Sequence, residues 1–141
     1  MRVVIDASVG LKWLCPDAPG EQDVAKALAI LGMIETGRAS AFEPVHWIAE
    51  IMAVIARQDT DEIRPARLFF EVFPFTCVGT LDTIEHAARL ASKLNHHLFD
   101  TLYHAVALEH DAMLVTADER YFARAKEQGG ITLLQDFDVP A

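Results

Sequence analysis

Few of the residues that would assign this chain to a specialised class are present. Cysteine occurs twice in 141 residues, as Cys15 and Cys77, in no Cys-x-x-Cys pair. That excludes a disulfide scaffold and a zinc finger. No apolar run reaches the roughly 18 residues of a membrane span. The opening MRVVIDAS reads as a strand and not as a secretory leader, so a soluble cytoplasmic protein is expected. Proline and glycine form no linker, and no repeat or low-complexity tract is visible. One domain spanning residues 1–141 is therefore expected. Basic residues are also scarce, with 12 Lys and Arg against 21 Asp and Glu, a net charge of −9. A basic protein that coats nucleic acid is excluded. A local basic patch, or cations that invert the sign of an acidic cleft, would still allow contact with a polyanion.

Apolar residues make up 52% of the chain, enough for a full core. Strand signals stand at Val3–Ile5, 40–43, 75–78, 113–116 and 131–134. Helices are expected at 8–14, 21–36, 46–57, 65–73, 82–94, 99–110 and 119–128. In the second of these, Val24, Leu28, Leu31 and Glu35 share a face and Gly37 marks the stop. Asp82 reads as the cap of the fifth helix. Strands separated by helices imply an α/β fold with a mostly parallel sheet covered on both faces. Right-handed crossovers carry the strand C-termini to one edge, where such folds place ligands.

Four acids fall where that edge should be. Asp6 follows the first strand, Asp118 follows the strand LVT at 114–116, Asp100 opens a helix in LFDTLYHAVAL, and Glu50 lies within PVHWIAEIMAVIA. Glu50 is the only charged residue between Pro44 and Arg57, and its helical neighbours include Trp47, Ala53 and Val54. A carboxylate beside an apolar face is costly unless neutralised, hydrogen-bonded or metal-bound. Taken singly, Asp6, Asp100 and Asp118 also read as helix caps, and Glu50 as a snorkelling or protonated acid. If they converge, magnitudes favour a cation. Two carboxylates about 5 Å apart repel by roughly 3 kcal/mol at an effective dielectric of 20. Oxygen ligands suit Mg²⁺ or Mn²⁺ rather than Zn²⁺. Such a centre activates water and neutralises a scissile phosphate, the chemistry of phosphodiester hydrolysis. Ser8 and Thr116 stand two residues from Asp6 and Asp118 and could hold metal-bound water or phosphate.

Four segments carry a family resemblance: VVIDASVGLKWL at 3–14, EPVHWIAEIMAVI at 43–55, LNHHLFDTLYHAVALEH at 94–110 and MLVTADERYF at 113–122. The chain resembles PIN-domain ribonucleases, and among them the VapC-like toxins of toxin–antitoxin pairs. The resemblance implies a three-layer α/β/α PIN fold and a Mg²⁺- or Mn²⁺-dependent endoribonuclease. It implies catalytic and metal-holding roles for Asp6, Glu50, Asp100 and Asp118, with Ser8 and Thr116 in support. It further implies an RNA substrate, an antitoxin partner that blocks the cleft, and a homodimer. The chain departs from the pattern at Ala53, where the family commonly carries Asn.

Other residues have two readings. Phe69, Phe70, Phe73 and Phe75 could line a groove for an antitoxin or a second copy, or pack a helix–strand corner. His96, His97 and Lys12 could touch substrate phosphate, and Arg120 and Arg124 could hold RNA or an antitoxin carboxylate. His46 and His104 could act as pH-sensitive groups or serve the packing. Cys15 and Cys77 read as partly buried hydrophobes. An inactive PIN-fold binding module is the main competing function, with Ala53 in its favour. A phosphotransfer protein is disfavoured. A response regulator would carry paired acids after the first strand, and a haloacid-dehalogenase-like phosphatase would carry Asp-x-Asp where Ser8 stands.

Overall fold

Five short β-branched runs and seven helices alternate along the chain, and the sheet they build follows from that alternation. The computed structural model describes residues 1–141. Its strands are β1 (Arg2–Ile5), β2 (Ser40–Pro44), β3 (Phe75–Val78), β4 (Met113–Thr116) and β5 (Ile131–Leu133). Its helices are α1 (Ala7–Leu14), α2 (Val24–Glu35), α3 (His46–Gln58), α4 (Ile63–Val72), α5 (Leu81–Leu94), α6 (Leu98–Glu109) and α7 (Glu119–Ala125). The sheet order is β3-β2-β1-β4-β5, and every pairing is parallel. Successive residues of β1 point to opposite faces, yet Val3, Val4 and Ile5 are all fully buried. Both faces of the sheet are therefore covered, as parallel strands require. No helix is long and apolar enough to cross a membrane.

The order of strands places β1 beside both β2 and β4, so the direction of winding reverses between β1 and β4. This is the topological switch point, where a crevice opens at the strand C-termini. Asp6 leaves β1 there, and Ala117 and Asp118 leave β4 there.

On one side, α1, α3 and α4 meet in an aromatic wall. Trp47 is fully buried and its ring lies 5.3 to 5.7 Å from those of Phe70, Phe73 and Phe75. Trp13 packs edge-on against Trp47 and anchors its indole N–H on the carbonyl of Ala27. Phe69 and Phe73 stack at 5.3 Å. The phenylalanines thus pack the helix–strand corner. Helix α1 approaches α3 so closely that a Cβ on Gly10 would lie 2.7 Å from Ile51 Cδ1. On the other side, α5 and α6 close around a small cluster of alanine and leucine: Ala87, Leu90, Leu102 and Ala105.

Several local expectations need correction. Helix α2 starts at Val24, because Asp23 holds a left-handed backbone with φ 55°. It buries Ala27, Ile30, Met33 and Ile34, leaving Leu28 and Glu35 exposed. The segment is apolar nearly all round, so periodicity alone could not choose the face. Helix α4 starts at Ile63 after a 3₁₀ turn at Thr60–Glu62, with Pro65 tolerated in its first turn. The cap of α5 is Thr80, in a reciprocal box with Thr83, and not Asp82. The α-helical part of the last helix ends at Ala125, and β5 ends at Leu133 before a 3₁₀ turn. Cys77 is exposed.

Candidate metal centre

The acids at the switch point are held by donors that the same loops supply. Asp6 Oδ2 accepts from Ser8 Oγ at 2.6 Å and from Thr116 Oγ1 at 2.7 Å. Each hydroxyl accepts in turn from an amide of the following loop. Ser8 Oγ takes the N–H of Ala117 at 3.1 Å, and Thr116 Oγ1 takes that of Asp118 at 3.0 Å. The two hydroxyls therefore lock the start of α1 to the β4–α7 loop. Asp118 caps α7, accepting from the Tyr121 amide through Oδ1 at 2.9 Å. Asp6 occupies the cap position of α1 without making a side-chain cap bond. Asp100 is no cap either: His97 holds that position, and Asp100 sits within the first turn of α6. Its Oδ2 lies 2.8 Å from His96 Nε2. Glu50, in α3, accepts through Oε2 from the hydroxyl of Tyr103.

One rule covers all four acids. One carboxylate oxygen is tied to a protein donor, and the other has no protein donor and reaches solvent. The free oxygens define an edge with capacity for protons or for a hard divalent cation. The donor set thus fits such an ion.

Electrostatics bind the four into one neighbourhood. Burial pushes the Asp6 carboxyl up to about 6; the Ser8 and Thr116 bonds oppose this, and the charges of Asp100 and Glu50 add to it. Burial also raises Glu50, with Asp100 contributing and the Tyr103 bond opposing. Tyr121 is raised by burial first, then by Asp100, Asp6 and Asp118. The tightest grouping is His96, Asp100 and Asp118, whose ligand atoms lie within 4.8 Å of one another. Asp6 and Glu50 flank that group. The cleft over it, about 480 Å³, is lined by Asn95, His97, Arg120 and Arg124 besides these three.

Three residues at this edge were not legible as site residues. Glu43 is fully buried in β2; its Oε1 accepts from the Ile5 amide at 2.8 Å, and its Oε2 has no partner. Burial raises its carboxyl well above the usual range, against the Ile5 hydrogen bond that opposes it. Its sequence signal was slight: it is the one charged residue in SAFEP. His46 donates from Nε2 to the Phe99 carbonyl at 2.9 Å and stacks on Tyr103 at 4.6 Å. Burial lowers it, and its Nδ1 has no partner. Tyr103, which holds Glu50, lies three residues beyond Asp100, one helical turn along the same face.

Of the other candidates, Lys12 and His104 lie away from the cleft, and Arg124 stays on its wall. Lys12 is buried and paired with Glu21. Arg124 donates to the Asn95 carbonyl. His104 is fully buried: Nε2–H donates to the Gly129 carbonyl, and Nδ1 accepts from Tyr121. It serves the packing as a neutral imidazole, and its burial lowers it further.

With the geometry in place, comparison with known proteins is informative. A model of the PIN domain matches residues 3–128. No curated protein matches the chain by sequence. Solved structures match in fold. A toxin–antitoxin complex from Klebsiella pneumoniae superposes with a TM-score of 0.69 at 16% identity, over 94% of this chain and 97% of that one. VapBC-1 from nontypeable Haemophilus influenzae gives 0.67 at 15%, over 96% and 100%. VapC20 from Mycobacterium tuberculosis, a sarcin–ricin loop cleaving toxin, gives 0.63 at 14%, over 86% and 93%. At these identities the likeness is one of fold.

Proposed function

This chain belongs to the PIN domain family, and from that premise we propose a Mg²⁺- or Mn²⁺-dependent endoribonuclease, the toxin of a toxin–antitoxin pair. The observation that carries the reading is the shared pattern of the four acids, one oxygen anchored and one free. Asp6, Asp100 and Asp118 would hold the cation. Bound there, it would acidify a coordinated water and neutralise charge on the scissile phosphate. Ser8 and Thr116 hold Asp6 by one oxygen and leave the other without a protein donor. Glu50, fixed by Tyr103 through one oxygen, offers the other to the attacking water and takes its proton. Burial raises its carboxyl above the ordinary range, which makes the carboxylate a stronger base. The fold-level likeness to toxin–antitoxin complexes supports an antitoxin as partner, and the likeness to a toxin that cleaves the sarcin–ricin loop supports RNA as substrate. A homodimer is part of the same reading.

The second reading is a PIN-fold binding module without turnover. Ala53 favours it, for this exposed position, one helical turn past Glu50, offers no polar group to the edge. One experiment separates the two. The protein is incubated with total RNA and Mg²⁺, Mn²⁺ or EDTA, beside Asp6→Asn and Asp118→Asn. Discrete fragments that require both the metal and the acids are expected. Equal cleavage by the variants would remove the acids from the mechanism. Metal binding with no cleavage of any RNA would leave the binding module.

A further inference from the structure

The acid cluster at the switch point contains one residue that is not an acid. His96 precedes α6, and its side chain is only 8% exposed. Its ring lies against Tyr121, 4.8 Å between centroids, which fixes its plane. Nε2 stands 2.8 Å from Asp100 Oδ2, and one ligand atom from each of His96, Asp100 and Asp118 lies within 4.8 Å of the other two. The shorter separation matches that of neighbouring ligands on one ion. Adjacent ligands of an octahedral cation with bonds of about 2.1 Å lie about 3.0 Å apart, and opposite ligands about 4.2 Å. Asp100 and Asp118 each retain an oxygen that no protein donor engages. With its proton moved to Nδ1, the same imidazole edge that now donates to Asp100 is placed to meet a cation shared with both acids.

We propose that His96 is a nitrogen ligand of this metal centre, and that the centre therefore selects Mn²⁺ over Mg²⁺. The inference rests on the reading of the edge as a metal centre. Mg²⁺ prefers oxygen donors and gives up its water reluctantly. Imidazole favours first-row transition ions over Mg²⁺. One nitrogen among carboxylates shifts the choice of ion without closing the site to either. The carboxylates set the overall affinity, and His96 sets the ratio. His97, next along the chain, is exposed and lines the same cleft outside the three-donor group, so it is the rival nitrogen to test.

The test uses the full chain, with Mn²⁺ and Mg²⁺ titrated separately by calorimetry and the Mn²⁺ complex examined by electron spin-echo envelope modulation. The parent protein should show ¹⁴N coupling to Mn²⁺. His96→Gln should abolish that coupling and weaken Mn²⁺ by about tenfold, with Mg²⁺ changed less than about threefold. His97→Gln should keep the ¹⁴N coupling. The rival geometry has His96 donating to Asp100 from outside the coordination sphere. It gives no ¹⁴N coupling in the parent, and that single spectrum overturns the proposal without recourse to any variant. Coupling that survives in His96→Gln and vanishes in His97→Gln also overturns it. If Mn²⁺ fails to bind, or binds equally to Asp118→Asn, the metal-centre reading itself falls, and the ligand assignment with it.

Discussion

The aromatic wall and the acidic edge share helix α3 and obey opposite physics. At the wall, Trp13, Trp47, Phe69, Phe70, Phe73 and Phe75 attract one another, and every contact adds to stability. At the edge, Asp6, Glu50, Asp100 and Asp118 repel, and the positions are imposed by hydroxyls, amides and Tyr103. The wall holds α1 and α3 firmly enough for the edge to stay assembled against its own charge. One helix serves both: α3 turns Trp47 and Ile51 inward and leaves Glu50 beside the cleft.

If this division holds, substitutions at the two regions should fail differently. The largest loss of stability should come from Trp47→Ala, about 3 to 5 kcal/mol by urea unfolding. RNA cleavage per folded molecule should persist; a stable Trp47→Ala protein would show that the wall is not what holds the fold. Asp118→Asn and Asp6→Asn should do the reverse. Cleavage should fall at least about 100-fold, with unfolding at neutral pH no easier than in the parent. A variant that loses both properties together would join the regions into one.

A third prediction concerns pH. The Asp6 carboxyl sits at about 6 in the fold against 3.8 ordinarily, so the folded state takes the proton more readily. That stabilisation is complete below about pH 4 and is lost as pH rises through 6. The metal-free Asp6→Asn protein should therefore gain on the parent between pH 4 and 7, by roughly 2 to 3 kcal/mol. A constant difference across that range would show that Asp6 titrates normally. Saturating Mn²⁺ at pH 7 should reverse the gain, because only the parent offers the full site. The smallest effect should come from Gly10→Ala, where the added Cβ meets Ile51 at 2.7 Å. A loss of about 1 to 2 kcal/mol in unfolding is expected, with metal affinity unaltered.

How much of this was legible beforehand follows the range of the interactions. The strands, their parallel direction and the edge on which Asp6 and Asp118 fall were legible from short strand signals spaced by helices, though the order of the strands was not. The cap role of Asp118 was legible too, being a matter of three residues. The inward face of α2 was not, since its apolar residues surround the helix. Glu43 was not, because its meaning depends on β2 running beside β1. The register pairs Val3 with Ala41, and beyond that the Glu43 side chain supplies the acceptor for Ile5. His96 was noticed as a residue near phosphate, but its place beside Asp100 and Asp118 required the loop before α6 to be folded.

The twin hydroxyl relays carry a consequence for acidity. Ser8 and Thr116 each give their only proton to Asp6 Oδ2 and take an amide proton in return, so neither can turn around. A proton taken up by Asp6 must then sit on Oδ1, the oxygen left without a protein donor. That is the atom a cation would use. Hydrogen ion and metal ion are rivals for a single oxygen, and acidification acts there as a competitive inhibitor, one proton for one ion.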